Sequence, residues 1–481
     1  MATILDERAL DAGLAGLESA RSWSPRVVSR LESVLREDDD AALFRLNPFT
    51  LARQRDLDPN EVVDLLLHAS AQGLFEMDWL LICPRCACAV ESFSRLRAVS
   101  RQYRCPQCHN HYEATMDDFI AVYFNVAPRI AATRYQRPEA LEPFDYMFHF
   151  RGVREGLRPD GRPYIDASRS AMRAIGFLEP KGTTGFTFLA EPGLMGAVSS
   201  DTEAGFLLRI GEEAASGPQS VDLAFDGAGY SAEEIRLGAG PVRLTISNPT
   251  GDRNVLAILQ IPPDQDDEFL RFEPYLTGKH LLTSQTFRGL FRSEVIGGAE
   301  GIAIRDIAIL FTDIKGSTAL YRQIGDLNAF QLVQQHFDWL REATVRHGGA
   351  VVKTIGDAVM ASYPDAAAAV AAALDMQLAA ERFNRSQPDR PVALKIGIHH
   401  GAAIAVTLNE ELDYFGQTVN IAARVQAMAD AQEICLTDEV RSYPGVAALL
   451  EGRETREVTA ELRGLGRAMP VTRVARTVAV S

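Results

Sequence analysis

Two aspartates and a set of cysteines have the types and spacing for metal chemistry. Asp313 stands in the run Phe311-Thr312-Asp313-Ile314-Lys315-Gly316-Ser317-Thr318, after an apolar stretch and before a helical one. A loop that leaves a strand and opens a helix presents backbone N–H groups at a positive helix end. Phe311, Gly316, Ser317 and Thr318 therefore form a candidate phosphate cradle, with Asp313 at the strand tip to hold a bridging cation. By itself, an Asp ahead of Gly-Ser-Thr reads more simply as a helix cap. A second carboxylate, Asp357, sits in Ile355-Gly356-Asp357 at the turn of an expected hairpin. If that hairpin lies beside the first strand, the two carboxylates converge on a hard-oxygen site suited to Mg2+ or Mn2+.

Cys83, Cys86, Cys105 and Cys108 form a C-x2-C-x18-C-x2-C array. Each pair makes a knuckle that aims two thiolates at one point, and two knuckles supply the tetrahedral sulfur shell of a structural Zn2+. Four sulfurs close the shell, so the ion would fold a small ribbon with little core of its own. Cys88 and His109 are alternative ligands. Cys105 to His109 also spells a haem-attachment pattern, a reading that leaves Cys83 and Cys86 unexplained.

FTDIKGST, VVKTIGDAVMA and LDYFGQTVNIAAR, in that order, resemble the three signature stretches of class III adenylate/guanylate cyclases, a likeness that covers about residues 300–475. The resemblance implies a ferredoxin-like α/β sandwich and an adenylate cyclase that converts ATP to 3',5'-cyclic AMP and pyrophosphate in intracellular signalling. It makes Asp313 and Asp357 ligands of two Mg2+ or Mn2+ ions per site, with the Ile314 carbonyl as a backbone ligand. Lys353 and Asp413 match the pair that reads adenine, and Asn420 and Arg424 the pair that acts on the transition state. Arg463, in ELRGLGR, matches the triphosphate-binding basic position. It also implies a homodimer in which the metal aspartates of one subunit meet the other four residues of its partner. One departure is Ile404 to Asn409, IAVTLN, where many relatives carry a glycine-rich turn.

Elementary chemistry agrees with these roles. In-line attack of the ribose 3'-hydroxyl on the α-phosphate needs positioning and charge stabilisation, with no covalent nucleophile. Asn420 and Arg424 are four residues apart, hence on one face of a helix, and a permanently charged guanidinium suits an α-phosphate gaining charge. Adenine offers an acceptor at N1 and a donor at its 6-amino group, so a lysine and an aspartate complement it, while guanine reverses both groups.

The elements that must position these residues follow from patterning. Residues 1–80 read as helices, including Arg26 to Arg36 and a stretch opened by Asp58 as N-cap and Pro59 at the first helical position. Helices followed by a ribbon are compatible with a winged helix. Residues 81–118 read as the zinc ribbon. Residues 119–295 hold short alternating runs (GFTFLA, VDLAF, PVRLTI, VLAILQI) between turn-rich stretches such as EPGLMG and GAGY, a β-rich, sandwich-like pattern. From about 300 to 481, strands alternate with helices, including an Ala-rich helix from Ala366 to Arg382 with Val370, Leu374 and Leu378 at helical spacing. The expected whole is multidomain α+β, an architecture that resembles bacterial cyclases with an uncharacterised N-terminal region.

Composition bounds the rest. The chain has 481 residues, net charge -15 and 47% hydrophobic residues, too long for one ordinary domain and too apolar for wholesale disorder. Acidic balance disfavours nucleic acid, and residues 1–130 carry 14 basic against 19 acidic side chains. No apolar run reaches membrane-span length and the N-terminus lacks a secretory pattern, so a cytoplasmic protein with no membrane partner is expected. Two further readings stay open: a catalytically silent nucleotide-binding regulator and a zinc-ribbon transcription factor. Of 49 basic residues only five are lysines: Lys181, Lys279, Lys315, Lys353 and Lys395.

Overall fold

The computed structural model describes residues 4–37, 40–261, 270–297, 301–388, 391–461 and 468–475. The chain divides into two compact units. One comprises Met1–Ser94, Ser100–Ala114 and Phe119–Leu276; the other comprises Arg95–Val99, Thr115–Asp118 and Thr277–Ser481.

In the first unit, helices span Glu7–Ala20, Val27–Glu37, Pro48–Arg55 and Pro59–Ala71. The Asp58 side chain accepts from the Glu61 backbone N–H, so the cap expected from the sequence is present. A three-stranded sheet follows, with Phe75–Ile82 between Ala89–Phe93 and Ile120–Val126. The β-rich part is a seven-stranded sheet in which Glu234–Asn248 pairs with Gly182–Ala190, Phe206–Ala214 and Gln219–Ala224. EPGLMG departs from its expected turn character. Gly193–Val198 is an inner strand between Phe206–Ala214 and Asn254–Ile261, with Met195 and Ala197 buried. Its glycines mimic a turn in sequence, while the sheet needs their small size: a Cβ on Gly196 would press on the Ile261 side chain.

The second unit holds an eight-stranded sheet with helices packed on it. Besides four short α-helices, its elements are β1 (Ile302–Ile314), α1 (Ser317–Ile324), α2 (Asp326–Arg346), β2 (Ala350–Ile355), β3 (Ala358–Tyr363), α3 (Ala366–Ser386), β4 (Leu394–Leu408), β5 (Glu411–Phe415), α4 (Gln417–Met428), β6 (Glu433–Thr437), β7 (Thr455–Glu461) and β8 (Ala468–Val474) among the described residues. The strand order is β2-β3-β1-β4-β6-β8-β7, with β5 paired to β4. β1 is central and buried without a break from Ile307 to Thr312, the signature of a strand covered on both faces. Gly325, at φ 79°, breaks the long helical pattern into α1 and α2. In α3 the buried face is made by Ala366, Ala369, Val370, Ala373 and Leu374, whereas Leu378 is exposed. Small side chains let this helix approach the sheet closely, so the alanines carry the packing expected of the leucine spacing.

The IAVTLN stretch continues β4 to Leu408. Asn409 and Glu410, both at positive φ, form the two-residue turn into β5. A tight hairpin here delivers Asp413 without a glycine. Among the described residues, no helix is long and apolar enough to cross a membrane.

Candidate active site

Asp313 lies near the end of β1, and Asp357 in the β2–β3 turn, where Gly356 takes φ 65°. Because β3 pairs antiparallel with β1, the turn sits beside the tip of β1. The Ile314 backbone N–H donates to Asp357 Oδ2 at 3.3 Å, which brings the two carboxylates together. Burial raises the Asp313 carboxyl above its ordinary value, the nearby Asp357 charge raises it further, and Lys395 opposes both. A divalent cation would relieve that repulsion, so the donor set fits Mg2+ or Mn2+.

Two residues at this site escaped the sequence reading. Lys395 is paired in register with Asp313 across β4, its Nζ 3.7 Å from Asp313 Oδ2. The Tyr321 hydroxyl, on α1, is pushed up to about 12 by burial and then by the charges of Asp357 and Asp313. Both carried signals: Lys395 is one of five lysines, and Tyr321 stands one helical turn after Ser317.

The loop after Asp313 leaves β1 and opens α1. Phe311 is buried at the end of β1, Gly316 takes φ 76° as the cap of α1, and Ser317 and Thr318 open the helix. Only a residue tolerant of the left-handed region fits at Gly316. Lys315 pairs with Asp430 at 2.9 Å.

The Lys353 Nζ and Asp413 Oδ2 atoms are 2.5 Å apart, which joins β2 to β5 through side chains 60 residues distant in sequence. The Asp413 side chain is 9% exposed and that of Lys353 37%. Asp413 Oδ1 also accepts from the Tyr414 N–H at 2.8 Å. Asn420 and Arg424 lie on α4, outside its buried face of Thr418, Ile421, Ala422 and Val425. Among the described residues no hydrogen bond or ion pair links either to Asp313, Asp357, Lys353 or Asp413. Arg463 lies outside the described residues.

Residues 15–289 match the Family of unknown function (DUF5939), and residues 302–466 match the Adenylate and Guanylate cyclase catalytic domain. The first match alone covers more than half of the chain. The chain belongs to this family of unknown function. Its C-terminal part is a class III cyclase catalytic domain. Adenylate cyclase 2 of Rhizobium meliloti is 28% identical over 153 residues, which cover 29% of this chain and 42% of that protein. Adenylate cyclase of Mycosarcoma maydis is 32% identical over 158 residues, or 28% of this chain and 6% of the relative. Adenylate cyclase of Anabaena cylindrica is 29% identical over 137 residues, 26% of this chain and 27% of the relative. The chain thus spans less than half the length of each of these relatives. Among solved structures, the adenylyl cyclase CyaB of P. aeruginosa aligns at 19% identity and TM-score 0.34, covering 37% of this chain and 97% of that one. The guanylyl cyclase Cya2 aligns at 20% identity and TM-score 0.34, covering 38% and 96%.

Beyond the cyclase domain, the four cysteines of this family member converge. Cys83 Sγ lies 3.4 Å from Cys108 Sγ, Cys86 Sγ lies 3.5 Å from Cys105 Sγ, and all four sulfurs fall within 4.8 Å of one another. Tetrahedral Zn–S bonds of about 2.3 Å require sulfurs about 3.8 Å apart, so the spacing fits an ion and exceeds any disulfide. The two knuckles are twins. Ala87 N–H donates to the Cys83 carbonyl and His109 N–H to the Cys105 carbonyl, and both residues take positive φ. Neither Cys88 nor His109 belongs to this converging group, which among the described residues is Cys83, Cys86, Cys105 and Cys108.

Proposed function

We propose that this protein is an adenylate cyclase that converts ATP to 3',5'-cyclic AMP and pyrophosphate as a homodimer with shared sites. The observation that carries the reading is the convergence of Asp313 and Asp357 beside a helix-opening loop, with burial and mutual repulsion raising Asp313. Divalent cations bound there would neutralise the triphosphate and lower the pKa of the ribose 3'-hydroxyl. The loop from Gly316 to Thr318 offers N–H groups to phosphate. Arg424 would meet charge growing on the α-phosphate, and Asn420 would orient the ribose through its amide; a dimer supplies both from the partner subunit. Arg463 would add a cation to the triphosphate.

Base choice is supported by the Lys353–Asp413 pair. Adenine entering between them gives each side chain a substitute partner, N1 accepting from Lys353 and the 6-amino group donating to Asp413. Guanine would set a donor against the lysine and an acceptor against the carboxylate, both in a largely enclosed site. We further infer that Cys83, Cys86, Cys105 and Cys108 hold a structural Zn2+.

The deciding experiment incubates the purified full chain with Mn2+ and either ATP or GTP. Cyclic AMP from ATP, little cyclic GTP, and loss of product in Asp313→Asn are the expected results. Equal turnover in Asp313→Asn would refute the metal assignment. Absence of any cyclic nucleotide would favour a silent nucleotide-binding regulator.

A further inference from the structure

Two short helices, Gly278–Leu282 and Gln285–Leu290, precede the catalytic sheet. The second is capped by Ser284, whose side chain accepts from the Phe287 N–H, and is anchored by the fully buried Phe287. Two of its polar side chains reach the backbone of the two strands that carry the base-reading pair. Gln285 Oε1 accepts from the Val351 N–H at 2.9 Å. Val351 is on β2, the outermost described strand of the sheet, so this N–H faces away from β3 and Gln285 satisfies it. The register slips by one residue between Val351 and Lys353, a bulge that re-aims the side chain following it.

Arg288 makes the matching contact on β5. Its Nη1 donates to the Leu412 carbonyl at 2.8 Å, one residue before Asp413, and its Nε donates to the Leu282 carbonyl at 2.8 Å. The guanidinium lies 5.3 Å from the centre of the Tyr414 ring. The Tyr414 hydroxyl donates to the same Leu282 carbonyl at 3.1 Å. Asp413 is thus flanked on both sides by residues tied to the helix pair.

We propose that Gln285 and Arg288 are positioning residues that fix the separation and aim of Lys353 and Asp413, and with them the choice between adenine and guanine. This rests on the base-reading role assigned above. Asp413 has a short stem, so its carboxylate goes where the backbone puts it, and the bulge makes the Lys353 aim depend on how β2 is held. The base lies away from the reacting phosphorus, so a misplaced pair weakens nucleotide binding more than it slows chemistry.

The test uses the full chain with Gln285→Met, Gln285→Glu and Arg288→Ala. Steady-state rates with ATP and with GTP are measured, along with dissociation constants for both nucleotides. One lost hydrogen bond corresponds to about fivefold. In Gln285→Met and Arg288→Ala the KM for ATP should rise about fivefold with kcat within about twofold, and the ATP-to-GTP preference should fall by a similar factor. Gln285→Glu keeps the acceptor oxygen and should retain the wild-type preference. Gln285→Met preserves size and helix propensity, so it reports even if Arg288→Ala folds poorly. Unchanged ATP-to-GTP ratios in Gln285→Met would overturn the proposal, as would a fall in kcat at constant KM. A wild type that makes no cyclic nucleotide would refute the cyclase reading, while the ratio of dissociation constants would still decide the positioning role.

Discussion

Removing one or the other partner of the Lys353–Asp413 pair should separate specificity from stability, because the two side chains are unequally buried. At 9% exposure Asp413 is enclosed, while Lys353 at 37% keeps contact with water. Asp413→Ala removes the buried acceptor for the adenine amino group and the repulsion felt by the guanine carbonyl. A buried mismatch of this kind is worth about 2–3 kcal/mol, so ATP preference should fall about 30- to 150-fold. The orphaned lysine regains water, and stability should change by less than about 1 kcal/mol. Lys353→Ala does the reverse. Its contribution to base choice, discounted for solvent screening, is about 1 kcal/mol or fivefold. It leaves the enclosed Asp413 carboxylate with the Tyr414 N–H as its remaining described partner, at a stability cost of about 2 kcal/mol. Competition assays with ATP and GTP give the first ranking and chemical denaturation the second. The rankings should cross: Asp413 dominates specificity, Lys353 dominates stability. If one residue dominates both, or if Asp413→Ala leaves ATP preference intact, the pair does not read the base as described.

Native mass spectrometry should find one zinc per protomer, absent after Cys83→Ser with Cys105→Ser; a folded, metal-free wild type would end that assignment. Co-expressed Asp313→Ala and Arg424→Ala chains should recover about a quarter of wild-type activity, since random pairing makes about half the dimers mixed, each with one intact site; no recovery in proven mixed dimers would argue against shared sites. Burial lowers the His336 pKa to about 4, so the folded chain holds it neutral while the unfolded chain protonates it below about 6.5. Stability should therefore fall as pH drops from about 6.5 to 4, by up to about 3 kcal/mol from this residue, and His336→Gln should flatten that slope in denaturation measurements.

What the sequence made legible follows from how local the information is. Asp58 caps its helix, each cysteine knuckle forms and the loop after Asp313 opens α1, because each depends on residues a few positions apart. The pairing of Asp313 with Asp357 needed the hairpin to lie beside β1, and the register of β3 against β1 supplies that. Side chains recruited from across the sheet left no local trace. Lys395 reaches Asp313 only because β4 pairs with β1 in one register, and Gln285 reaches β2 over 66 residues. A glycine misled once: EPGLMG resembles a turn, yet its last four residues begin the inner strand Gly193–Val198, while the turn after IAVTLN is made without glycine by Asn409 and Glu410.

The β4–β5 turn also decides how firmly Asp413 is held. A glycine-rich link before Asp413 would let β5 move cheaply, since glycine gains backbone freedom that other residues lack. Here β4 and β5 form a continuous ladder from Ile404–Phe415 to Leu408–Glu411, and the turn holds two non-glycine residues at positive φ. Arg288 then ties Leu412 to the helix pair. Displacing Asp413 therefore works against both the β4–β5 ladder and the Arg288 hydrogen bond to Leu412. The same helix also holds Val351 through Gln285, so it contacts both strands that carry Lys353 and Asp413.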